Sequence, residues 1–390
     1  MTPVLHLRTI GFTLSAAMTI AAAVAIKIVD ASAPPEVLAQ EALRQDNRDV
    51  PKAILEYTEA LRREAVSPYR WADLGAAYQA ANDVDRARSC YQRALELSGG
   101  VPQIWLRVAN FHFDQGDYDD AVSLAARVLK IVPDYDDVLF SYFDHWLTDP
   151  DPVFRAIGSN RRAITSYTQH LINSGNMQKA SRAWHLMRRS KWNDSRVTAS
   201  YIDGMLRAHR YAEAREDWVA WVGPDCGEYP DRNLLFDGGF ELENGGSPLA
   251  WRIEPSEQFE TARDNSIVHS GRWSLRIKFL GNENVEYANL SQTTWVTPGR
   301  YSLRAWIRAD NITTDEGLRL ELDDAEVPAR LTLTSLPITG TSNWRLIEQS
   351  FTIGPSTNLL IIRAMRHHSR KFDNKINGTA WLDDISLTRL

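Results

Sequence analysis

Hydrophobic residues recur with two different periods along the chain, and the period changes near Cys226. Before this point apolar residues return every three to four positions, which predicts amphipathic helices. After it, short runs alternate apolar and polar residues and are separated by Gly, Pro and Asn, which predicts strands joined by turns. We therefore predict an α + β multidomain protein, because 390 residues exceed what one hydrophobic core usually serves.

The helical region contains an internal repeat. The stretch WADLGAAY at 71–78, followed by Ala87, Tyr91 and Ala94, resembles a tetratricopeptide repeat, whose period is 34 residues. The matching positions one period later are Trp105, Val108, Ala109, His112, Ala121, Ala125, Val128 and Pro133. Because no such repeat buries its own apolar face, repeats stack into an α-solenoid.

The resemblance predicts that the array spans 34–228. Its repeats fall at about 34–67, 68–101, 102–135, 161–194 and 195–228, and residues 136–160 form an irregular insert with a Pro-bearing loop. The aromatic residues of this insert are predicted to be core: Phe140, Tyr142, Phe143 and Trp146.

The resemblance also implies a concave surface, formed by the first helix of each repeat, that engages a protein or peptide partner. The positions predicted to face this groove are Gln79, Gln103, Asn110 and Phe113. The alternative is that these residues belong to an ordinary solvated helix face.

The N-terminal region, 1–33, contains an uncharged segment from Ile10 to Ile26, between Arg8 and Lys27. This segment is just long enough to cross a bilayer, so we expect an N-terminal membrane helix that anchors the chain in the inner membrane. The bulk of the chain would then lie in the periplasm of a bacterial envelope. The alternatives are a cleaved signal peptide, which leads to secretion, and a buried helix.

Charge and cysteine content narrow the function classes. The 44 Lys and Arg against 50 Asp and Glu leave a formal net charge of -6, which disfavours a general role on nucleic acid. Cys90 and Cys226 lie far apart in sequence, so a disulfide stays open, and Cys90 is expected to be a small core residue.

The C-terminal region, 229–390, contains six alternating runs. The predicted strands are WSLRIKF, YSLRAWIRAD, GLRLELDD, WRLIEQSFTI, LLIIRAM and WLDDISLTRL. Regular alternation with turn residues between the runs indicates a β-sandwich or jelly roll.

A second resemblance covers Asn233–Leu390. NLLFDGGFE at 233–241, Trp251, SGRWSLRI, PGRYSLRAWIRA and the terminal WLDDISL resemble, in this order, carbohydrate-binding modules of the galactose-binding-like jelly-roll superfamily. Such modules occur beside bacterial xylanases and glucanases. The resemblance implies a jelly-roll domain with a polysaccharide ligand, although fold alone does not confer sugar binding.

The strand pattern suggests where a sugar would bind. In YSLRAWIRAD the apolar residues share one face, so Arg304, Trp306 and Arg308 point the other way. The same alternation predicts that the side chains of Arg319, Glu321 and Arg363 point away from the core. A Trp ring covers a pyranose face and guanidinium groups donate to hydroxyls or carboxylates, so this cluster suggests an anionic glycan. The alternative is that a loop or the repeat array covers Trp306.

Many members of the second family hold a structural calcium near the junction of the first and last strands. The resemblance assigns this calcium to Glu241 and Asp384, with backbone oxygens completing the oxygen-rich shell that calcium prefers. The alternative is a pair of hydrogen-bonded surface carboxylates without a cation.

We find no catalytic signature such as a P-loop or G-x-S-x-G. Asp323–Asp324 and Asp383–Asp384 are adjacent along strands and are expected to point to opposite faces, which does not suit an acid/base pair. His367–His368 would either touch a metal or be solvated. We therefore expect a non-catalytic envelope adaptor that binds a protein and a polysaccharide, against the alternatives of a protein scaffold without a glycan and of an unrecognised hydrolase.

Overall fold

The computed structural model describes residues 34–44, 49–243 and 246–390. The segment predicted to anchor the chain lies outside these residues, and within them no helix is long and apolar enough to cross a membrane. The chain divides into two compact units between Ala163 and Ile164. This division falls earlier than the change from helix to strand, so the second unit contains helices as well as the β-sandwich.

Twelve α-helices occur in the described residues, and they follow one another as six pairs. Their bounds are α1 Pro35–Arg44, α2 Val50–Arg63, α3 Pro68–Ala80, α4 Val84–Leu97, α5 Pro102–Gln115, α6 Tyr118–Ile131, α7 Asp136–Trp146, α8 Asp151–Ile157, α9 Arg161–Asn173, α10 Met177–Arg189, α11 Ser195–Arg207 and α12 Tyr211–Val222.

The 34-residue period reappears in the helix caps and in the packing. Asp49 and Asp83 accept hydrogen bonds from backbone N–H groups of the first turns of α2 and α4, which satisfies donors that have no partner within the helix. Gly75 of α3 lies against Tyr91 of α4, where an added Cβ would be 3.2 Å from the ring. The small residue thus lets the paired helices approach closely.

The predicted insert at 136–160 is not an irregular helix and loop, because it forms the helix pair α7 and α8. Helix α8 has only seven residues, which explains why the 34-residue pattern is lost there. Phe140 and Phe143 are buried as predicted, whereas Tyr142 and Trp146 are partly exposed.

The C-terminal region forms two antiparallel five-stranded sheets, in the orders β1-β4-β9-β6-β7 and β2-β3-β10-β5-β8. We call them sheet A and sheet B. The strands are β1 Arg252–Ile253, β2 Phe259–Asp264, β3 Ser274–Leu280, β4 Tyr287–Trp295, β5 Gly299–Ile312, β6 Arg319–Asp324, β7 Thr332–Thr334, β8 Gly340–Ile353, β9 Leu359–Arg366 and β10 Asn377–Arg389. The six predicted strands are confirmed, and their apolar faces form one buried core between the sheets.

The stretch NLLFDGGFE lies along β10. The backbone N–H of Leu234 donates to Leu387, and Ile385 donates to Gly238. An added Cβ at Gly238 would lie 1.8 Å from the Ile385 carbonyl oxygen, so this close approach requires glycine.

Within the second unit, helix α12 contacts the β-sandwich. The Arg215 guanidinium lies 4.4 Å from the ring centroid of Trp295, and the Tyr211 hydroxyl donates to Glu326 over 2.6 Å. Trp218 packs edge-on against Phe236 at 5.6 Å between ring centroids. These contacts explain why the last helices and the sandwich form one compact unit.

Candidate functional site

Strand β5 carries the predicted Trp and Arg residues on the outer face of sheet B. Leu303, Ala305 and Ile307 are buried, whereas Trp306 and Arg308 are partly exposed and Arg304 is exposed. Arg304 forms an ion pair with Glu348 of the neighbouring strand over 3.5 Å. The alternation along β5 is therefore confirmed. We call this outer surface of sheet B the Trp306 face.

Trp306 belongs to an aromatic cluster in which His269 contacts both of the other rings. His269, from the loop between β2 and β3, stacks on its ring with centroids 4.0 Å apart and planes 18° from parallel. Trp344 of β8 meets His269 edge-on at 5.6 Å. A loop therefore covers part of Trp306, which was one of the two alternatives for this residue. His269 and Trp344 were not predicted as site residues, because the pairing of β5 with β8 and the path of the loop are not visible in the sequence.

Arginine side chains surround a third tryptophan on the same face. Trp381 lies opposite both Arg276 and Arg308 in the strand register, and its indole N–H donates to Asp264 over 2.8 Å. The Arg308 guanidinium is 5.9 Å from the Trp381 ring centroid. The Nε atoms of Arg276 and Arg308 are buried and have no hydrogen-bond partner among the described residues. Trp381 is itself buried, so the exposed aromatic surface of the Trp306 face comes from the partly exposed Trp306 and Trp344.

The remaining predicted glycan residues do not join this cluster. Arg319 and Glu321 lie on β6 and Arg363 on β9, and both strands belong to sheet A. They have other partners there. Arg319 is ion-paired with Glu316 and Arg363 with Asp323, and Glu321 lies against His367 Nε2. The prediction of one cluster is wrong, since alternation shows which side chains leave the core but not to which sheet each strand belongs.

A β-bulge in β10 changes the predicted directions of two adjacent carboxylates. The register shifts between Asp383 and Ser386, and Asp384 has a φ of 48°. As a result both Asp383 and Asp384 accept hydrogen bonds from Ser270, so they do not point to opposite faces. Asp383 is fully buried, and burial raises its pKa to about 6.

The residues predicted to hold calcium lie close to one another. An added Cβ at Gly239 would be 3.7 Å from Glu241 Cγ and 3.9 Å from Asp384 Oδ1. Glu241 Oε1 accepts two backbone N–H groups, from Arg272 and Trp273. Asp384 Oδ1 accepts from Ser270, and its Oδ2 lies 2.5 Å from His269 Nδ1.

This arrangement partly fits a cation. The two carboxylates supply the oxygen ligands that calcium prefers, but three of their four oxygens already have protein partners. In the described part of the chain, no group of three or more His, Cys, Asp or Glu residues is arranged to hold a metal. A calcium at this site would therefore need backbone oxygens and Glu241 Oε2 as further ligands, and it stays a prediction.

The two adjacent histidines contact different carboxylates. His367 Nε2 lies 2.5 Å from Glu321, and His368 Nδ1 lies 3.4 Å from Glu286. They therefore do not converge on one site.

The residues predicted for the repeat groove have different environments. Gln103 is exposed, and Gln79 donates to Asp114 over 2.8 Å. The side-chain oxygen of Asn110 is buried and has no hydrogen-bond partner in the described chain.

Phe113 is not available to a ligand, which corrects its prediction. It is 1% exposed, and its ring packs edge-on against Tyr142 of α7 at 6.0 Å. This contact is not visible in the sequence, where residues 136–160 are predicted to be an irregular insert.

The two cysteines are both free, and Cys90 is buried as expected.

Comparisons with known proteins support the repeat prediction. Residues 72–136 match the family model for the tetratricopeptide repeat. No curated protein matches the chain.

Several solved structures resemble the C-terminal part of the chain. One is TmCBM61 in complex with β-1,4-galactotriose, at 17% identity, covering 41% of this chain and 100% of that chain with a TM-score of 0.30. A second is Family 16 Carbohydrate Binding Module-2, at 19% identity, 40% and 100% coverage and a TM-score of 0.26. A third is the CBM22-1 xylan-binding domain from Paenibacillus barcinonensis Xyn10C, at 9% identity, 40% and 95% coverage and a TM-score of 0.28. These likenesses do not tell what this chain binds.

Proposed function

We propose that the chain is a non-catalytic adaptor of the bacterial cell envelope, whose repeats bind a protein and whose β-sandwich binds a polysaccharide on the Trp306 face. The observation that carries this proposal is the aromatic cluster of Trp306, His269 and Trp344 on the outer face of a sheet. Flat rings on a surface cover the apolar faces of sugar rings, as they cover other apolar ligand surfaces.

The charges beside this cluster favour an anionic polysaccharide. Arg304, Arg308 and Arg276 place guanidinium groups on the Trp306 face, where Arg304 is ion-paired with Glu348 and Arg308 donates to Asn343. Guanidinium groups donate to hydroxyls and bind carboxylates in pairs of hydrogen bonds. A sugar chain with carboxylate groups would therefore use both the rings and the arginines.

The repeats supply the second binding surface of the adaptor. Gln103 is exposed, and Asn110 has a side-chain oxygen without a partner in the described residues. A peptide laid across the first helices would reach the exposed Gln103 side chain, whereas the Asn110 oxygen is buried.

The N-terminal apolar segment supports a location at the inner membrane with the bulk of the chain in the periplasm, and the alternative is secretion after cleavage. An adaptor there would act in export or assembly of an exopolysaccharide or surface glycan.

A second candidate is a protein scaffold whose sandwich binds no glycan. The contacts of α12 with the sandwich, such as Arg215 with Trp295, favour it, because they give the sandwich a structural role beside the repeats.

The test is binding of the full chain to a glycan array and in affinity gels that contain acidic or neutral polysaccharides. We compare wild type with Trp306→Ala and with Trp192→Ala, a partly exposed tryptophan of the helical region. The adaptor proposal expects binding that Trp306→Ala abolishes and Trp192→Ala keeps. Absence of binding to every glycan by a folded wild-type chain favours the scaffold.

A further inference from the structure

A cleft of about 740 Å³ lies between helices α6 and α8. On α6 it is bordered by one helical stripe of residues spaced three and four apart, from Asp119 to Lys130. On α8 it is bordered by Pro152, Arg155 and Ala156. The opposite side of α6 packs into the core of the array, where Ala121 and Ala125 are fully buried.

The cleft lies beside a helix that is much shorter than its neighbour. Helix α6 has 14 residues, whereas α8 has seven and ends at Ile157. Ser159, Asn160 and Arg161, which follow α8, border the rest of the cleft.

The charged side chains that line the cleft are mostly cationic. Arg127, Lys130 and Arg155 border it together with Arg161, and Asp119 is the one carboxylate in the described lining. Arg155 and Asp119 are 4.0 Å apart, and their side chains are 69% and 90% exposed, so this pair neutralises little charge. Small polar side chains such as Ser123 and Asn160 supply hydrogen-bonding groups.

We propose that this cleft binds an acidic peptide segment of a protein partner. The charge of the lining calls for an anionic ligand. No aromatic side chain of the described chain lines the cleft, which argues against a stacked sugar ring. The stripe on α6 spans 11 residue steps, or about 16 Å, and an extended peptide covers this length with about five residues.

The inference rests on the proposal that the repeats bind a protein, but it names a different surface. The groove proposed above is formed by the first helices of the pairs, whereas α6 and α8 are second helices. The two surfaces are therefore tested by different substitutions. If the cleft does not bind an acidic peptide, Gln103→Ala and Asn110→Ala still test binding of a protein partner in the groove.

The experiment measures binding of fluorescein-labelled hexaglutamate to the full chain by fluorescence anisotropy, with hexaglutamine as the neutral probe. The test variant is Lys130→Glu/Arg155→Glu. The matched control is Arg62→Glu/Arg63→Glu on α2, which makes the same change in net charge at side chains 74% and 62% exposed. Circular dichroism checks that both variants keep their helices.

We expect hexaglutamate to bind at low salt, and the test variant to weaken its binding about tenfold. The control variant is expected to stay within about twofold of wild type, since screening limits the effect of distant charges. Equal losses in both variants, or no binding by wild type at low salt, would overturn the proposal. It is also overturned if trigalacturonate displaces the labelled peptide at lower concentration than unlabelled hexaglutamate does.

Discussion

His269 stacks on Trp306 with ring centroids 4.0 Å apart, while its Nδ1 lies 2.5 Å from Asp384 Oδ2. One side chain thus connects the aromatic cluster of the Trp306 face to the bulge of β10. The shape of the candidate sugar site therefore depends on the loop between β2 and β3, whose part in the site is not visible in the sequence.

This relationship predicts an energetic coupling between the two rings. In a double-mutant cycle with His269→Ala and Trp306→Ala, we expect a coupling of about 0.5–1.5 kcal/mol in the free energy of unfolding, the range for aromatic pairs. Urea denaturation of the four proteins measures it. If the losses of unfolding free energy from the two substitutions are strictly additive, the stacking of the two rings contributes nothing to stability.

The buried carboxyl of Asp383 predicts a pH dependence of stability. Burial raises its pKa from 3.8 to about 6 in the folded chain, so the folded state holds its proton more tightly than the unfolded state does. The resulting stabilisation is complete below pH 4 and is lost as the pH rises to about 6. Each tenfold difference in proton affinity between the two states corresponds to about 1.4 kcal/mol. Burial also raises the pKa of Asp237 to about 6, so this residue changes the stability with pH in the same direction.

Asp383→Asn tests this dependence in denaturant unfolding between pH 4 and pH 7. We expect the substitution to reduce the decline of stability with rising pH. Asp264 and Asp324 do not obscure this pH dependence. Their pKa values are lowered in the folded chain, so they change the stability at lower pH than Asp383 does. An unchanged slope would contradict the assignment to Asp383.

A buried arginine predicts a large loss of stability on substitution. Arg366 is fully buried, burial lowers its pKa, and its guanidinium donates to Asn284 Oδ1 over 2.8 Å and to the carbonyls of Glu316 and Asn374. Arg366→Met leaves these acceptors unpaired, so we expect a loss of about 3 kcal/mol or more. The exposed Arg370→Met is the control, expected to stay within about 0.5 kcal/mol. Similar losses in the two variants would show that the buried network is not responsible.

The composition of the second compact unit predicts how fragments behave. A fragment that begins at Asn160, before α9, is expected to unfold in a single cooperative transition. A fragment that begins at Tyr229 is expected to have a lower midpoint of thermal unfolding. In this fragment Trp295 lacks its contact with Arg215, and Phe236 lacks its contact with Trp218. Thermal unfolding compares them, and equal midpoints would mean that the helices do not stabilise the sandwich.

Calcium at Glu241 and Asp384 is tested by thermal unfolding with calcium and with a chelator. Ligand binding to the folded state raises stability by about 2.7 kcal/mol at a hundred times the Kd, so we expect calcium to raise the midpoint of wild type. Glu241→Gln is expected to remove this gain. If millimolar calcium does not change the thermal unfolding midpoint of wild type, the two carboxylates bind no cation and are hydrogen-bonded surface groups.

The helices and strands were largely predictable because they follow from local periodicity. The 34-residue pattern placed the repeats around Ala87 and Ala121, both fully buried, and the alternation in YSLRAWIRAD placed Leu303 and Trp306 on opposite faces of β5. The predictions from sequence were wrong for residues whose environment depends on neighbours distant in sequence. Phe113 is buried by α7, and Arg363 belongs to a different sheet from Trp306.

Local spacing was enough to predict the two kinds of architecture, the positions of the repeats and the inward and outward faces of the strands, because periodic burial of apolar side chains depends on near neighbours in the chain. Three features are visible only in the folded chain: which outward residues share a surface, the bulge that turns Asp383 and Asp384 to the same loop, and the stacking of His269 on Trp306. These features arise from strand order, loop paths and helix lengths, which bring together residues more than 30 positions apart.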